Sequence, residues 1–351
     1  MVSWDGVDTV PCNRPRVSKL TYKVHRVAVL IAAYNEGTQI SQVLKTVPEY
    51  TDHIVVVDDA STDNTADLVA QAAEVDPRIL LIRLSQNVGV GGALTHAYNW
   101  AKENDVDIAV SVDGDGQMDP EEMHHLLEPI VQGKADYTKG NRLVGGEGWK
   151  EIPRIRLFGN AVLSLLTKMA SGYWAVVDSQ SGYSAAGKAA LGRIDWNSMY
   201  KRYGRPNDVL VLANVAECRV ADVPITPLYG VGEISSMKIA KVTLTISALL
   251  IRRFWWRLFH KYVLRDFHPL VFFYLLATLT MVVSIALSVR LVVSWISNGF
   301  VPQMTALALA FFTITALNSL FFAYWMDMQA NAHLSVKLPI ESPATPDDEP
   351  S

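Results

Sequence analysis

The chain has 351 residues, of which half are apolar, and it carries a formal net charge of −4 at pH 7. That charge balance, together with the lack of a basic tract, argues against a nucleic-acid partner. The two cysteines, Cys12 and Cys218, form no CxxC motif or Cys/His cluster, so the sequence predicts neither a zinc site nor a disulfide framework. The length is sufficient for one large α/β domain and a second part.

Four apolar runs alternate with helical patterns after residues 1–25, which lack periodicity and are predicted to form an N-terminal extension. The runs are typical of strands buried on both faces: Val27–Ala33, His53–Val57, Ile79–Ile82 and Ile108–Val112. Their alternation with helices predicts an α/β fold over residues 26–240, with a mostly parallel sheet and helices on both faces. After the first run, Asn35 is in position to cap the helix that follows.

Polar residues follow the carboxyl ends of these predicted strands, which is where ligands bind in open α/β sheets. The strongest pattern is Asp113-Gly114-Asp115-Gly116-Gln117, directly after the fourth run. Two carboxylates this close suit Mg²⁺ or Mn²⁺, which leave room for substrate phosphates, although an Asp/Gly turn without an ion has the same composition. Asp58, at the end of the second run, is placed to accept hydrogen bonds from a base or a ribose.

The third run is followed by a loop that contains Gly89, Gly91 and Gly92. Such glycines let a backbone approach a phosphate, or they pack tightly as a plain loop, and the sequence leaves both interpretations open. The pattern is neither G-x-G-x-x-G after the first strand nor G-x-x-x-x-G-K-[ST]. A dinucleotide-dependent dehydrogenase and a P-loop NTPase are therefore disfavoured.

The character of the sequence changes after residue 240. Residues 241–268 combine apolar and aromatic positions with several cations, which predicts an amphipathic helix lying in the lipid headgroup layer. An ordinary amphipathic helix packed on the domain is the alternative. Two uncharged stretches follow, each long enough to cross the roughly 30 Å hydrocarbon core of a bilayer. We therefore predict a transmembrane hairpin over residues 269–328, with helices at about 270–292 and 304–326.

The distribution of charge predicts the orientation of this hairpin. Cations precede the first predicted span and none occurs in the connector 296–303, so the positive-inside rule assigns the domain 26–240 and the tail 329–351 to the cytoplasm. We expect an integral protein of the plasma membrane with a cytoplasmic catalytic domain. The Pro/Asp/Glu-rich end of the tail is predicted to be disordered.

Six motifs together resemble those of one known family. They are Ala33-Tyr34-Asn35-Glu36, the run from Val57 to Thr65, the run from Asn87 to Ala93, Asp113-Gly114-Asp115-Gly116-Gln117, Gly140-Asn141-Arg142 and the run from Asp178 to Tyr183. With them, the chain resembles the family 2, GT-A-fold glycosyltransferases of the polyprenyl-phosphate (dolichyl-phosphate) group. The resemblance covers roughly residues 26–240, and the predicted hairpin is a second, independent match.

The resemblance implies a role for each matching residue. The nucleotide-sugar would be bound by Ala33, Tyr34, Asn35, Glu36, Asp58, Gly91, Asp113, Gly114, Asp115, Ser235, Ser236 and Lys238. Asp113, Asp115 and Gln117 would bind Mg²⁺ or Mn²⁺. Arg142 and Arg156 match positions that bind the lipid phosphate, and Asp178 or Asp208 would orient the acceptor or assist with a residual proton.

The implied reaction is a single displacement, with inversion, at the anomeric carbon by a phosphate oxygen of the polyprenyl lipid. A phosphate monoester, with a second pKa of about 6, is largely dianionic in the cytosol and needs no strong general base. The resemblance favours a UDP-sugar donor over GDP-mannose, and it makes a homo-oligomer, such as a tetramer, plausible. Two alternatives remain: a membrane glycosyltransferase that acts on a sugar hydroxyl or a polymer, and a non-catalytic membrane scaffold or flippase partner.

Overall fold

The computed structural model of the chain describes residues 8–9, 22–114, 116, 118–143, 154–226 and 239–338, without the side chains of 8–9, 154–158, 160 and 239–241. The chain divides into two compact units, Met1–Ile251 together with His333–Ser351, and Arg252–Ala332. The first unit contains a β-sheet, and the second contains two long apolar helices.

One sheet forms the centre of the first unit. In the described part of the chain its strands are β1 (Asp8–Thr9), β2 (Val27–Ala33), β3 (His53–Asp58), β4 (Ile79–Arg83), β5 (Ile108–Asp113), β6 (Tyr137–Asn141), β7 (Ser184–Gly187), β8 (Val220–Pro224) and β9 (Ser335–Val336). Across the sheet they follow the order β1-β4-β3-β2-β5-β7-β6-β8-β9. The neighbours among β4, β3, β2 and β5 are parallel, whereas β7 runs antiparallel to both β5 and β6.

Helices cover both faces of this sheet. The α-helices that begin in this unit, within the described residues, are α1 (Ile40–Thr46), α2 (Thr65–Val75), α3 (Val90–Glu103), α4 (Met123–Val131), α5 (Arg154–Ser171), α6 (Lys188–Arg193), α7 (Arg205–Val215) and α8 (Ile239–Phe259), which continues into the second unit. Val27, Val29 and Ile31 of β2 share a core with α1, α2 and α4, while α3 contacts β2, β3 and β5 from the other side. Because both faces are covered, β2 is apolar at every position, and the central positions 54–57 of β3 are apolar as well. The predicted α/β architecture is confirmed.

Three short strands, β1, β7 and β9, are not predicted by the hydrophobic pattern of the sequence. Ser184–Gly187 has none of the β-branched or aromatic residues that mark strands, yet it forms β7 between β5 and β6. β1 adds two residues of the predicted N-terminal extension to the edge of β4, and β9 adds two residues of the predicted tail to β8. Main-chain pairing forms these strands, so side-chain periodicity does not reveal them.

The second unit contains a π-helix (His260–Arg265) and the two longest helices, α9 (Leu270–Asn298) and α10 (Gln303–Asn331). Both long helices extend beyond the predicted spans, and both are long and apolar enough to cross a membrane. Only 28% of the most apolar stretch of α9 and 17% of that of α10 are buried. A core helix of a soluble protein would be mostly buried, so these helices have the exposure expected of membrane spans.

A buried polar network ties the end of α8 to the end of α10. Arg257 Nη1 and Nη2 donate to Asp327 Oδ1 and Oδ2 at 2.9 and 2.8 Å, and neither side chain is exposed. Tyr262 Oη donates to Asp327 Oδ1 at 2.7 Å, and Asn331 Nδ2 donates to Tyr262 Oη at 2.8 Å. A buried ion pair needs such additional hydrogen bonds to offset the loss of hydration.

The first turn of α3 packs against the backbone of Tyr200 and Lys201. The amides of Gly91 and Gly92 donate to Lys201 O at 2.9 and 3.3 Å. A Cβ at Gly91 would lie 2.0 Å from Tyr200 O, a separation that no real side chain adopts. Tight packing, one of the two interpretations of this loop, therefore accounts for Gly91 within the described residues.

Gly91→Ala is expected to lower the free energy of unfolding by about 1–3 kcal/mol, because its Cβ would push α3 away from Tyr200. Gly192→Ala is the matched control, since a Cβ at this position of α6 meets nothing within 4 Å. Alanine there should be neutral or stabilise by about 0.5–1 kcal/mol. Urea unfolding of the ligand-free full chain, followed by circular dichroism, measures both changes. Equal effects of the two substitutions would contradict the packing interpretation.

Candidate active site

Predicted ligand-binding residues lie side by side at one edge of the sheet. In the parallel register, Ala33 of β2 pairs with Asp58 of β3, and Ala32 of β2 pairs with Asp113 of β5. Asp58 is buried, whereas 35% of the Asp113 side chain is exposed. Since adjacent parallel strands end at the same edge, their terminal carboxylates converge there, as the sequence predicts.

The segments that follow β2 and β3 are joined by hydrogen bonds. Asn35 Oδ1 accepts from Thr62 N at 2.9 Å, and Ser61 Oγ accepts from Asn35 N at 3.0 Å. Thr65 Oγ1 accepts from Glu36 N at 2.8 Å. Two motifs of the predicted nucleotide site therefore form one connected surface.

The capping role predicted for Asn35 is wrong. Helix α1 has Gln39 at its N-cap position, and no side chain caps it. Asn35 instead has φ +57, a left-handed conformation that asparagine tolerates better than most residues. Tyr34, beside it, is exposed and Glu36 is half-buried, so the polar side chains of this segment remain accessible.

A buried arginine that the sequence analysis does not identify lies against Asp113. Arg205, the first residue of α7, is 3% exposed. Its Nη1 donates to Ser111 Oγ at 3.1 Å, its Nη2 donates to Gly182 O at 3.4 Å, and Nη2 lies 3.7 Å from Asp113 Oδ1. The position of Arg205 in the sequence gives one indication of this contact. A cation in the first turn of a helix is electrostatically unfavourable, so an arginine there is expected to have an anion nearby.

Gly182 is the point at which two predicted motifs meet. A Cβ at Gly182 would lie 2.4 Å from Asp113 Oδ2 and 3.0 Å from Arg205 Nη2. Only glycine leaves room for the carboxylate against this loop. The Asp-Gly-Asp motif, predicted to bind the donor, thus contacts the segment that begins at Asp178 and is predicted to orient the acceptor.

Arg142 and Asp178, both predicted acceptor residues, form an ion pair. Arg142 Nε donates to Asp178 Oδ2 at 2.8 Å, and Nη2 donates to Oδ1 at 3.2 Å. Burial raises the pKa of Asp178, but the hydrogen bond and charge of Arg142 lower it further, so the net pKa is below the ordinary value. Asp178 is buried and ionised, whereas 40% of the Arg142 side chain stays exposed.

Buried polar groups on β6 and β8 support the loop that carries this ion pair. Asn141 Nδ2 donates to Asp222 Oδ2 at 2.5 Å, and Val177 N donates to the same oxygen at 3.1 Å. Lys139, 1% exposed, donates from Nζ to Ser181 O. These bonds fix both ends of the loop to the sheet.

Burial moves the pKa of two of these groups toward neutrality. It raises the pKa of Asp222 to about 6 and lowers the pKa of Lys139 to about 7. Asp222 Oδ1 is buried and has no hydrogen-bond partner among the described residues. The sequence analysis identifies neither residue, because the sequence of β6, Tyr-Thr-Lys-Gly-Asn, gives no sign that this strand is buried throughout.

Gly114 lies at this edge, where an added Cβ would be 3.4 Å from both Ala32 O and Glu36 Cγ. No described contact brings the remaining predicted site residues there. Asp115, Gln117, Ser235, Ser236, Lys238 and the side chain of Arg156 lie outside the described residues. Asp208 is fully buried in α7, and its Oδ2 accepts from Tyr200 N at 2.7 Å. The described contacts of Asp208 therefore hold the turn before α7, and its predicted catalytic role stays a prediction.

The predicted metal site consists of oxygen ligands alone. Asp113 is its one member within the described residues, among which no group of three or more His, Cys, Asp or Glu side chains could hold a metal ion. The Asp113 carboxylate is partly exposed at the sheet edge, and carboxylate and amide oxygens are the donors that Mg²⁺ and Mn²⁺ prefer. The residue types thus fit a hard divalent cation.

Comparison with known proteins adds a family match. The model of the family described as "Glycosyl transferase family 2" matches residues 28–205. UDP-N-acetylglucosamine–dolichyl-phosphate N-acetylglucosaminyltransferase from Methanococcus voltae is 32% identical over 57% of this chain and 85% of its own length. Undecaprenyl-phosphate mannosyltransferase from Micrococcus luteus is 32% identical over 57% of this chain and 83% of its own length.

The backbone of one solved structure can also be superposed on part of this chain. Glucosyl-3-phosphoglycerate synthase from Mycobacterium tuberculosis, in complex with Mn²⁺, uridine diphosphate and phosphoglyceric acid, matches 67% of this chain and 79% of its own. The TM-score is 0.49 and the identity is 20%.

The raised pKa of Asp222 predicts a pH dependence of stability. The unfolded carboxyl titrates near 3.8 and the folded one at about 6, so between these values the folded state binds more protons. The contribution of Asp222 to stability is therefore full below about pH 4 and falls as the pH rises through 6.

Asp222→Asn removes this titration, so the wild type should lose stability relative to the variant between about pH 4 and 6. Denaturant unfolding of both full chains at a series of pH values from 4 to 7 measures the difference. A stability difference that is the same at every pH would contradict the prediction.

Proposed function

Because the chain belongs to glycosyl transferase family 2, we propose that it transfers a sugar from a nucleotide-sugar to a polyprenyl or dolichyl phosphate. The observation that carries the proposal is the contact at Gly182, where residues 178–182, which we propose orient the acceptor and name the acceptor loop, lie against Asp113 of the proposed donor motif. The relatives from Methanococcus voltae and Micrococcus luteus are named for dolichyl-phosphate and undecaprenyl-phosphate acceptors, which supports the acceptor class.

On the donor side, we assign the nucleotide to the edge formed by β2, β3 and β5. Asp58 would accept from the base or ribose, with the Tyr34–Glu36 segment beside it, and Asp113 would contact the ribose and sugar. Asp113, Asp115 and Gln117 would hold Mg²⁺ or Mn²⁺, which when bound neutralises charge on the departing nucleoside diphosphate. A UDP-sugar is the favoured donor and GDP-mannose the alternative.

On the acceptor side, Arg142 would bind the lipid phosphate. Its guanidinium is oriented by two hydrogen bonds to Asp178, and part of it remains exposed. A guanidinium binds phosphate through parallel donors, so a fixed orientation determines where the phosphate oxygens lie. Asp178 is ionised but engaged by Arg142, and we therefore assign it an orienting role rather than that of a general base.

In the proposed reaction, a phosphate oxygen of the lipid forms a bond to the anomeric carbon as the bond from that carbon to the diphosphate oxygen breaks. The electron pair leaves with the nucleoside diphosphate, and the configuration at the anomeric carbon inverts. The dianionic phosphate is already a nucleophile near pH 7, so catalysis rests on alignment of the two substrates. The contact between Asp113 and the acceptor loop would supply that alignment.

For the membrane, we propose that α9 and α10 form a transmembrane hairpin and that residues 241–268 lie at the cytoplasmic surface. The exposed apolar surface of both helices and the cations at 252–265 support this arrangement. The domain 26–240 and the tail 329–351 would then face the cytoplasm at the plasma membrane. The phosphate of a polyprenyl lipid is accessible to an enzyme only at the membrane surface. Anchoring in the membrane would therefore place the active site within reach of this acceptor.

Purified full chain, supplied with undecaprenyl phosphate, Mg²⁺ or Mn²⁺ and a panel of radiolabelled UDP- and GDP-sugars, should transfer label into an organic lipid extract. EDTA should abolish the transfer, and added metal should restore it. Label in a water-soluble polymer would instead indicate a hydroxyl acceptor. No transfer from any donor would favour a scaffold or flippase partner and overturn the proposal.

Gly182→Ala tests the contact that carries the proposal. The added Cβ would displace the Asp113 carboxylate, a side-chain group that can rotate away, so the fold should survive. Misplacement by about 1 Å can cost about 100-fold in rate, and we expect kcat/KM for the nucleotide-sugar to fall by about 10- to 100-fold.

Gly192→Ala makes the same chemical change in α6, where a Cβ meets nothing within 4 Å, and should leave the transfer rate unchanged. Thermal unfolding of both variants establishes that they are folded. If folded Gly182→Ala transfers sugar at the wild-type rate, Asp113 does not act in the way proposed.

A further inference from the structure

The backbone amide of Gly182 lies beside Asp113 and is available as a hydrogen-bond donor. Among the described residues it donates to no carbonyl and no side chain, whereas the amides of Gln180 and Ser181, just before it, both donate to Asp178 Oδ1. Gly182 is partly exposed. Because a backbone N–H that is shielded by the protein nearly always has a partner, this donor is free for a ligand or for water.

A buried lysine determines the direction of this N–H. Lys139 of β6 donates from Nζ to Ser181 O, so that carbonyl points to the β6 side of the acceptor loop. None of the described peptide bonds is cis, and in a trans peptide the N–H points opposite to the preceding carbonyl. The N–H of Gly182 is therefore directed away from β6.

The side away from β6 is the side of β5, which ends at Asp113. The acceptor loop leads into β7, and β7 lies between β5 and β6 in the sheet. The antiparallel pairing of β5 with β7 ends at Ser111 and Ser184, and two residues beyond this pair are Asp113 and Gly182. The carboxylate of Asp113 lies against Gly182 there. The free N–H and the partly exposed carboxylate thus face the same gap at the edge of the sheet.

The ligand group that suits this pair is a hydroxyl. A hydroxyl has one donor and two acceptor sites, so it can donate to a carboxylate and accept from an amide at the same time. A phosphate oxygen can accept from the amide, but the negative charge of Asp113 repels it. In the proposed reaction the group beside Asp113 is the sugar of the donor, which carries hydroxyls.

We infer, on the basis of the proposed function, that the Gly182 N–H and the Asp113 carboxylate together bind one hydroxyl of the donor sugar, and that Lys139 is the positioning residue that directs this N–H. The hydroxyl donates to Asp113 and accepts from Gly182. Lys139 touches no substrate and acts through Ser181 O. Its hydrogen bond to that carbonyl also polarises the peptide group, which strengthens the N–H as a donor.

Selective isotope labelling makes this amide observable by NMR in the full chain. Serine labelled with ¹³C at the carbonyl and glycine labelled with ¹⁵N select Ser-Gly pairs, and the sequence has two, Ser171-Gly172 and Ser181-Gly182. Cell-free synthesis prevents exchange of label between the two amino acids. Gly172 N donates to Lys168 O at 2.8 Å and provides the internal control. The resonance of Gly182 is the one that is missing from Gly182→Ala.

The probes are UDP-glucose, UDP-N-acetylglucosamine and GDP-mannose, each added with Mg²⁺ and compared with its own nucleoside diphosphate. At least one nucleotide-sugar should move the proton resonance of Gly182 downfield, because the amide gains a hydrogen bond. UDP and GDP should not move it, and Gly172 should not respond to any probe. In Lys139→Met, which keeps the length of the side chain but removes its donor, the resonance of Gly182 should stay nearly unmoved.

Kinetics provide a second readout. Lys139→Met should lower kcat/KM for the nucleotide-sugar by about 10- to 100-fold, the loss expected for one hydrogen bond that involves a charged group, and leave KM for undecaprenyl phosphate unchanged. Lys139→Gln, which keeps a donor, should lose less. Lys188→Met is the matched control and should keep the wild-type rate, because Lys188 is exposed and pairs with Asp107, which precedes β5 at the end opposite to Asp113.

Monodeoxy analogues of the donor identify the hydroxyl. One of them should lose much more rate relative to the parent sugar in the wild type than in Lys139→Met, because the variant no longer directs the N–H at that position. Thermal unfolding establishes that the variants are folded. If Lys139→Met does not fold, Lys139→Gln takes its place in both measurements.

Three results would overturn the inference: no shift of Gly182 with any nucleotide-sugar, an equal shift with free UDP or GDP, and an equal shift in folded Lys139→Met. A shift with citronellyl phosphate alone would assign the amide to the acceptor and would overturn it as well. The titrations with nucleotide-sugars contain no acceptor, so they measure binding without transfer. A shift of Gly182 in a chain that transfers no sugar to lipid would overturn the proposed reaction alone.

Discussion

The candidate site depends on the buried guanidinium of Arg205. It contacts the hydroxyl of Ser111 on β5, the carbonyl of Gly182 in the proposed acceptor loop and, at 3.7 Å, the carboxylate of Asp113. A charge buried to this degree is tolerated only with an anion and several acceptors around it. Arg205, Asp113 and Gly182 therefore constrain each other, and the strand end cannot move independently of the loop.

Arg142, which follows β6, contacts the other end of that loop at Asp178 and is fixed in a similar way. Asp178 orients its guanidinium, and Asp222 and Lys139 anchor the loop to β8 and β6. The residues proposed to bind the donor and the acceptor are thus held by one continuous set of polar contacts. The proposed displacement between two bound substrates requires such rigidity, because both reacting atoms must be aligned at once.

The sequence predicts the parts of this arrangement that follow from hydrophobic pattern. Strands β2 to β5 are apolar on both faces, so their positions and the convergence of Asp58 and Asp113 could be inferred from the chain alone. Contacts between distant residues could not be inferred in this way. Arg205 and Ser111 are 94 residues apart, and no local pattern connects a helix start with the middle of a strand.

Strand β7 and the packing of Gly91 could not be predicted from the sequence, for two different physical reasons. Strand β7 is formed by main-chain pairing of small residues, which have no strand preference of their own. Gly91 belongs to a glycine-rich loop, and the sequence of such a loop is compatible both with binding a phosphate and with tight packing against the rest of the protein. Only the position of Tyr200, fixed by tertiary structure, shows that the protein backbone occupies the space beside it.

The ion pair between Arg257 and Asp327 has a consequence for biosynthesis. The two residues are 70 positions apart, so the arginine leaves the ribosome well before its carboxylate is translated. During that interval the charge of Arg257 favours hydrated surroundings. Closure of the pair is thus a late step, because it requires α10 to have been synthesised almost to its end; in the proposed membrane arrangement, a closed pair would mark a chain that has completed both helices.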